Sequence, residues 1–485
     1  MRERELLFIG GAWVPPSTGR TLEVVSPHTE LPIARIAAPG AADVDRAVTA
    51  AREAFDEGPW PRTPPAERVA AIRRLADLYE PRRDELARLI TAQMGAPITF
   101  ARSAHATLPG VMMRAFADIA AGLAWEEPRP GHYGQDILLQ KTPVGVVAAI
   151  VPWNMPTLLT VMKLVPALLA GCPVILKPSP ETPLDAYLIA DLIEQAGLPP
   201  GVVSVLPGDG EIGARLVAHP GVDRVSFTGS TAVGAQVAAA CGAALKRVSL
   251  ELGGKSAALV LDDADPATVA AGLKVAGLMN SGQACVAQTR VLVPRARHDE
   301  HVEAITAMMD GLAVGDPSDP STDVGPLVTR RQRERVLGYI DLGRKEGAAL
   351  ATGGTARPDG LDHGWYVRPT LFARTDNTMR VAQEEIFGPV LTVIPYDDED
   401  HAVRLANDTR YGLSGSIWTP DTDRGLAVAR RVRSGTLGVN QPYAMDPAAP
   451  FGGIKDSGIG RELGPEGIES HLDTKSISIT ALVGG

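Results

Sequence analysis

Apolar positions change their spacing along the chain, and each change predicts a different kind of element. Over the first 40 residues, short apolar runs are separated by Gly10-Gly11, Ser26-Pro27 and Pro39-Gly40, a pattern that suits hairpins. From residue 41 to about 121 the apolar positions recur at helical period, as in DVDRAVTAAREAF and ERVAAIRRLADLYEPRRDELARLITAQMG, the second interrupted by Pro81. Residues 125–143 are polar and rich in Pro and Gly; they break the pattern and predict a crossing to another part of the fold. Residues 144–252 then alternate apolar runs (144–151, 174–176, 202–206, 224–227, 247–252) with helical segments (157–170, 182–196, 211–218, 231–240). Such alternation predicts βαβ units around a parallel sheet buried on both faces. A second α/β stretch follows from 255 to about 434.

Composition narrows the function classes. The chain has 485 residues, enough for two or three domains, and 45% of them are hydrophobic. Its net charge of −10 repels phosphate backbones, so no nucleic-acid partner is expected. Cys172, Cys241 and Cys285 are too few and too scattered for a disulfide framework or a zinc cluster, and no metal is expected. The first residues carry charges and only a short apolar run, and the run 144–151 is far shorter than a membrane span. These features predict a cytoplasmic globular enzyme.

Four segments carry candidate chemistry. Gly208-Asp-Gly-Glu-Ile-Gly213 fits a dinucleotide fingerprint after a strand-like run. Pro220 stops its helix early, and the acidic residue expected at the end of the next strand is replaced by Thr228-Gly229. A plain turn, or a turn beside a cofactor, is therefore expected there. SFTGSTAVG is the better phosphate loop: Gly229, Ser230 and Gly234 open a helix directly after a strand, which suits an anion site or a simple N-capped helix. NSGQACVAQTR sets Cys285 at an expected loop-to-helix junction, where neighbouring N–H groups favour a thiolate. Cys172 and Cys241 read as packing residues. ELGGKS ends a strand on Glu251, a carboxylate costly to bury unless paired or used, though a surface carboxylate reads the same way. PWNMP sets Asn154 at the end of a buried strand, to donate to an oxyanion or to close an Asx turn.

The order of these segments says more than any one of them. PWN, KP-S, FTGS, ELGGKS, GQ-C, EEIFGP and PFGG-K-SG-GRE follow one another between residues 152 and 462. In this order the chain resembles the aldehyde dehydrogenase superfamily over nearly its whole length. The resemblance implies a doubly wound cofactor-binding domain (1–123 and 143–252), an α/β catalytic domain (253–456) and a small β oligomerisation extension (124–142 and 457–485). It implies oxidation of an aldehyde to the acid with NAD, or possible use of NADP. Cys285 is then the nucleophile, Glu251 the base and Asn154 the oxyanion donor. Trp153, Lys177, Ser179, Gly229, Ser230, Gly234, Leu252, Glu385 and Phe387 are implied cofactor contacts, and Glu462 resembles a carboxylate that relays protons in some members. Members preferring NAD often carry Glu three residues after the equivalent of Lys177. Here that position is Pro180, with Glu181 one further on, so weaker repulsion of a 2′-phosphate is expected.

The same resemblance sets Met155, Leu159, Met162, Val286, Tyr443 and Met445 along the substrate tunnel. This apolar set has no Arg or Lys to hold a second carboxylate, and it points to aliphatic, terpenoid or aromatic aldehydes. Two alternatives share the scaffold. A CoA-acylating semialdehyde dehydrogenase generally lacks the base, and a non-catalytic binding protein is expected to lose nucleophile, base or oxyanion Asn; all three are present. Residues 125–142 and 475–483 are the expected oligomerisation strands of a homodimer or homotetramer.

Overall fold

A computed structural model of the protein describes residues 2–442 and 445–480. Both α/β stretches form sheets. The first has eight strands, five of them parallel, in the order Arg247–Glu251, Arg224–Thr228, Val147–Ile150, Val174–Lys177, Val203–Val205. Antiparallel strands close both edges: Gly458–Ile459 on one side, and the hairpin of Leu7–Ile9 with Ala12–Val14 on the other. The intervening helices are Pro156–Ala170, Leu184–Ala196, Gly210–Ala218 and Thr231–Ala243. The mixed α/β, doubly wound architecture expected from the sequence is therefore present.

Side-chain alternation explains why this sheet is apolar throughout. Val147, Ala149, Val174 and Leu176 enter one core, whereas Val146, Ala148, Ile150 and Ile175 enter the other. Each strand buries both faces against helices, as parallel strands require. The helical stretch also follows its sequence: helices Pro65–Tyr79 and Arg83–Met94 flank a tight turn at Pro81. One local feature is absent from the sequence reading. Residues Ala101–Ala106 form a π-helical turn immediately before the helix Thr107–Gly122.

The second sheet has seven strands, from Ala349–Thr352 at one edge to Gly438–Val439 at the other, and all but the first run parallel. Residues 125–143 form two strands, Glu126–Pro130 and Asp136–Pro143. Asp136–Pro143 pairs in turn with Leu472–Ile479, so parts of both segments expected to form the extension share one three-stranded sheet, whereas Gly458–Ile459, also expected there, closes the first sheet; residues 481–485 lie outside the described residues. Among the described residues no helix is long and apolar enough to cross a membrane.

Candidate active site

Strand order locates the cleft. Val147–Ile150 lies between Val174–Lys177, which follows it in sequence, and Arg224–Thr228, which comes later. The connections leave these two central strands in opposite directions, and ligands of open α/β sheets bind in the crevice this creates at the strands' carboxyl ends. Pro152, Trp153 and Asn154 leave one strand there, and Gly229 and Ser230 leave the other. Together with Leu252, Gly253, Cys285, Glu385 and Phe387 they line a cleft of about 220 Å³.

The two glycine-rich loops differ in what occupies their N–H groups. Asp209 caps the helix Gly210–Ala218, its carboxylate accepting from the N–H groups of Glu211 and Ile212. A carboxylate already fills the anion position of this fingerprint, so the segment is a turn. The turn lies beside Lys177, whose Nζ donates to the carbonyls of Gly208 and Asp209. In the second loop Ser230 caps the helix Thr231–Ala243 with its neutral hydroxyl, at 3.4 Å from Val233 N. No acidic residue occupies the first turn of that helix. Its N-terminus opens on the cleft.

Asn154 is buried, and its Nδ2 donates to the Gln283 carbonyl at 3.1 Å. The amide carries two N–H donors, so one remains beyond this contact. Residues 280–282 all have positive φ, which folds the loop that delivers Cys285 into the cleft. No helix follows Cys285. The expected junction is instead a turn leading into the strand Arg290–Pro294, whose residues 290–292 pair on both sides.

The thiol environment also departs from expectation. Burial, then the charges of Glu385 and Glu251, push the Cys285 thiol up to about 12, while the N–H groups of Val286 and Cys285 pull the other way. With no helix N-terminus beside it, desolvation and two carboxylates dominate. Cys172 and Cys241 are buried, in keeping with packing roles.

Glu251 is buried at the end of its strand, and neither carboxylate oxygen has a hydrogen-bond partner among the described residues. Burial, then the charge of Glu462, holds it well above the ordinary Glu range, opposed by Lys163 and Arg461. Gly452 makes room for it, since a Cβ there would sit 2.7 Å from Oε1. Glu462 forms a buried ion pair with Lys163, and Ser226 Oγ lies 3.2 Å from both. Glu385 accepts from Gly254 N at 3.0 Å, and any side chain at Gly253 would collide with its carboxylate. Trp153 and Phe387 meet edge to face with centroids 5.3 Å apart.

Of the remaining expected site residues, Lys177 is buried, and desolvation lowers its amine to about 8 against the charges of Glu181 and Asp209. Ser179 hydrogen-bonds Glu181, so a carboxylate stands beside this amine although Pro180 fills the expected position. Gly234 packs under Leu252. Leu159 and Met162 are buried in one core, with Met155, Val286 and Met445 half-buried against it. Tyr443 lies outside the described residues. The sequence reading missed Gln332 and Arg335, which also line the cleft, and Lys163. Arg335 donates to the backbone carbonyls of Glu385 and Ile386.

Comparison with known proteins settles the family. The aldehyde dehydrogenase family profile matches residues 13–477. The chain belongs to the aldehyde dehydrogenase family. Geranial dehydrogenase of Castellaniella defragrans is 45% identical to the enzyme over 475 residues, covering 98% of each chain. An aldehyde dehydrogenase of Mycobacterium tuberculosis complexed with NAD+ superimposes with a TM-score of 0.97 at 49% identity, covering 99% of both chains. A mutant aldehyde dehydrogenase C of Pseudomonas syringae, complexed with NAD+ and octanal, gives a TM-score of 0.94 at 42% identity, covering 98% of this chain and 96% of that one.

Proposed function

We propose that the enzyme oxidises an apolar aldehyde to the carboxylic acid with NAD+, through a thioester on Cys285 hydrolysed with Glu251 as base. The observation carrying this reading is that Cys285 and Asn154 line one cleft at the sheet's switch point, with a buried, unpartnered Glu251 next to Leu252 of that lining and close enough for its charge to act on the Cys285 thiol. Trp153, Ser230, Glu385 and Phe387 fit a dinucleotide there. They offer a helix N-terminus for the pyrophosphate and a carboxylate for a ribose diol, with Lys177 for the second ribose. NAD+, when bound, supplies the hydride acceptor.

The protein's part follows from its own groups. Cys285 Sγ attacks the carbonyl carbon as the thiolate, its proton having passed to solvent, and the electron pair moved onto oxygen is met by Asn154 Nδ2 and the Cys285 N–H. Loss of hydride restores the carbonyl as a thioester. Glu251, with its raised proton affinity, takes a proton from the water that attacks this carbon; the C–S bond then breaks and returns the sulfur to Cys285. The Lys163–Glu462 pair passes that proton onward. The apolar residues Met155, Leu159, Met162, Val286 and Met445 support an aliphatic, terpenoid or aromatic substrate, as do the geranial and octanal named for relatives. Ile477 and Ile479, half exposed on the three-stranded sheet, support assembly with further copies of the chain.

Formation of NADH from octanal, geranial or benzaldehyde tests the reading, and absence of turnover with all three contradicts it. NAD+ is expected to be preferred over NADP+, because the Glu181 carboxylate beside Lys177 repels a 2′-phosphate. Glu181→Gln raises the NADP+ to NAD+ ratio of kcat/KM by about tenfold, equivalent to ~1.4 kcal/mol. An unchanged ratio excludes that role.

Activity is expected to rise with pH. A carboxyl whose pKa is raised stays protonated further into the neutral range, and a protonated Glu251 is no base. Turnover therefore falls as pH drops through its raised pKa, well before ordinary glutamates titrate. The Cys285 thiol, at about 12, extends the rise into alkaline solution. A profile of kcat from about pH 6 to pH 10 that is flat or falling contradicts this.

A further inference from the structure

We infer that Thr182 and Asp185 are positioning residues for the oxyanion site, gripping the chain on either side of Asn154. The inference rests on the reaction proposed above. Asn154 lies in the short segment 151–155, between the strand Val147–Ile150 and the helix Pro156–Ala170. Met155 stands at the N-cap of that helix and gives it no side-chain cap, so contacts from elsewhere hold the segment.

Thr182 Oγ1 donates to the Trp153 carbonyl, one residue before Asn154, at 3.3 Å. Thr157, three residues after Asn154, donates from Oγ1 to Asp185 Oδ2 at 2.8 Å. A threonine in a helix can turn its hydroxyl back on the carbonyl four residues earlier, which for Thr157 is that of Trp153. Here Thr182 meets that carbonyl and the Thr157 proton is committed to Asp185. Both ends of the segment are thereby tied to one stretch of chain, 179–185, which also carries Ser179 and Glu181. Thr157, Thr182 and Asp185 are all buried, where water does not replace a lost partner.

The directions of these bonds are fixed from the backbone. The Leu184 N–H can only donate, and it meets Gln93 Oε1 at 2.9 Å. The nitrogen of the same amide then faces Asp185 and donates to Oδ1 at 2.9 Å. Gln93 and Thr157 thus use separate oxygens of one carboxylate, in the first turn of the helix Leu184–Ala196, where negative charge is favoured. Burial, opposed by these two donors, pushes the carboxyl up to about 6, which leaves it the anion at neutral pH. From the other side Asn280 Nδ2 donates to the Asn154 carbonyl at 2.9 Å. Asn154 is therefore fixed between the loop that delivers Cys285 and the stretch 179–185. Misplacement of reacting groups by an ångström costs orders of magnitude in rate.

The test compares Thr157→Val, which removes the donor to Asp185 at nearly constant volume, with Thr157→Ser, which keeps it, in wild-type and Asn154→Ala backgrounds. In the wild-type background, at saturating NAD+, Thr157→Val lowers the first-turnover rate of NADH formation by about tenfold, and Thr157→Ser recovers most of it. Asp185→Asn, of the same shape but one acceptor short, reproduces the loss. In the Asn154→Ala background Thr157→Val costs less than about twofold, because its target is already gone. Equal factors in both backgrounds, or a lower melting temperature with unchanged rate, overturn the inference. Acylation of Cys285 by p-nitrophenyl acetate, in which the sulfur displaces p-nitrophenolate, passes through an oxyanion but needs neither NAD+ nor hydride transfer. A loss of at least about threefold in the first-turnover release of p-nitrophenolate by Thr157→Val supports the role even if the wild type oxidises none of the aldehydes, and an unchanged rate overturns it.

Discussion

Cys285→Ser lowers kcat/KM for octanal with NAD+ by at least ~10³-fold, while NAD+ dissociation changes little. The surroundings explain the size of the loss. Burial and the charges of Glu385 and Glu251 already hold the thiol up to about 12, and the same groups disfavour an alkoxide still more. Sulfur remains a competent nucleophile there because little proton-transfer assistance brings out its intrinsic reactivity; a serine oxygen has no such reserve. Cys172 and Cys241 cannot substitute, since both are buried away from the cleft lining. A melting temperature close to wild type separates this result from misfolding. Turnover surviving in Cys285→Ser excludes Cys285 as the nucleophile.

Glu251→Gln produces a different defect. The carboxylate makes no hydrogen bond among the described residues, so an isosteric amide removes little binding and leaves the Lys163–Glu462 pair in place. Steady-state turnover is expected to fall by about 10²- to 10⁴-fold, the contribution of a well-placed general base. The first turnover survives, so NADH appears as a burst of one per active site followed by a slow phase. A stopped-flow trace in which burst and steady state fall together assigns Glu251 to an earlier step. A trace with neither changed excludes it as the base.

Much of this site was legible because each residue lies within a few positions of backbone features that sequence records. Asn154 stands between prolines, Glu251 before two glycines, and Cys285 after Gly282; in each case the local run fixes the conformation. The buried partners were less legible because their meaning is tertiary. Lys163 is the charge in an otherwise apolar and small-residue helix, PTLLTVMKLVPALLA, which was a visible anomaly. Its partner Glu462 lies 299 residues away, and no spacing rule joins them. The π-helical turn Ala101–Ala106 gave no signal, since such a turn has no sequence signature of its own. The expectation of a favoured thiolate failed for a related reason. It assumed a helix after Cys285, whereas VLVP continues into a central strand whose two neighbours come from residues 257–260 and 390–396. The isolated fingerprint at Gly208–Gly213 shows the converse: the motif is present, but Asp209 takes the N–H groups that a phosphate would need.

We propose that Cys285 carries the acyl group and that Glu251 releases it. Mass analysis of Glu251→Gln after mixing with NAD+ and octanal tests this directly. One octanoyl group on the Cys285 peptide, equal in amount to the NADH formed, is the predicted result. NADH without an acyl adduct, or an adduct on any other residue, contradicts it.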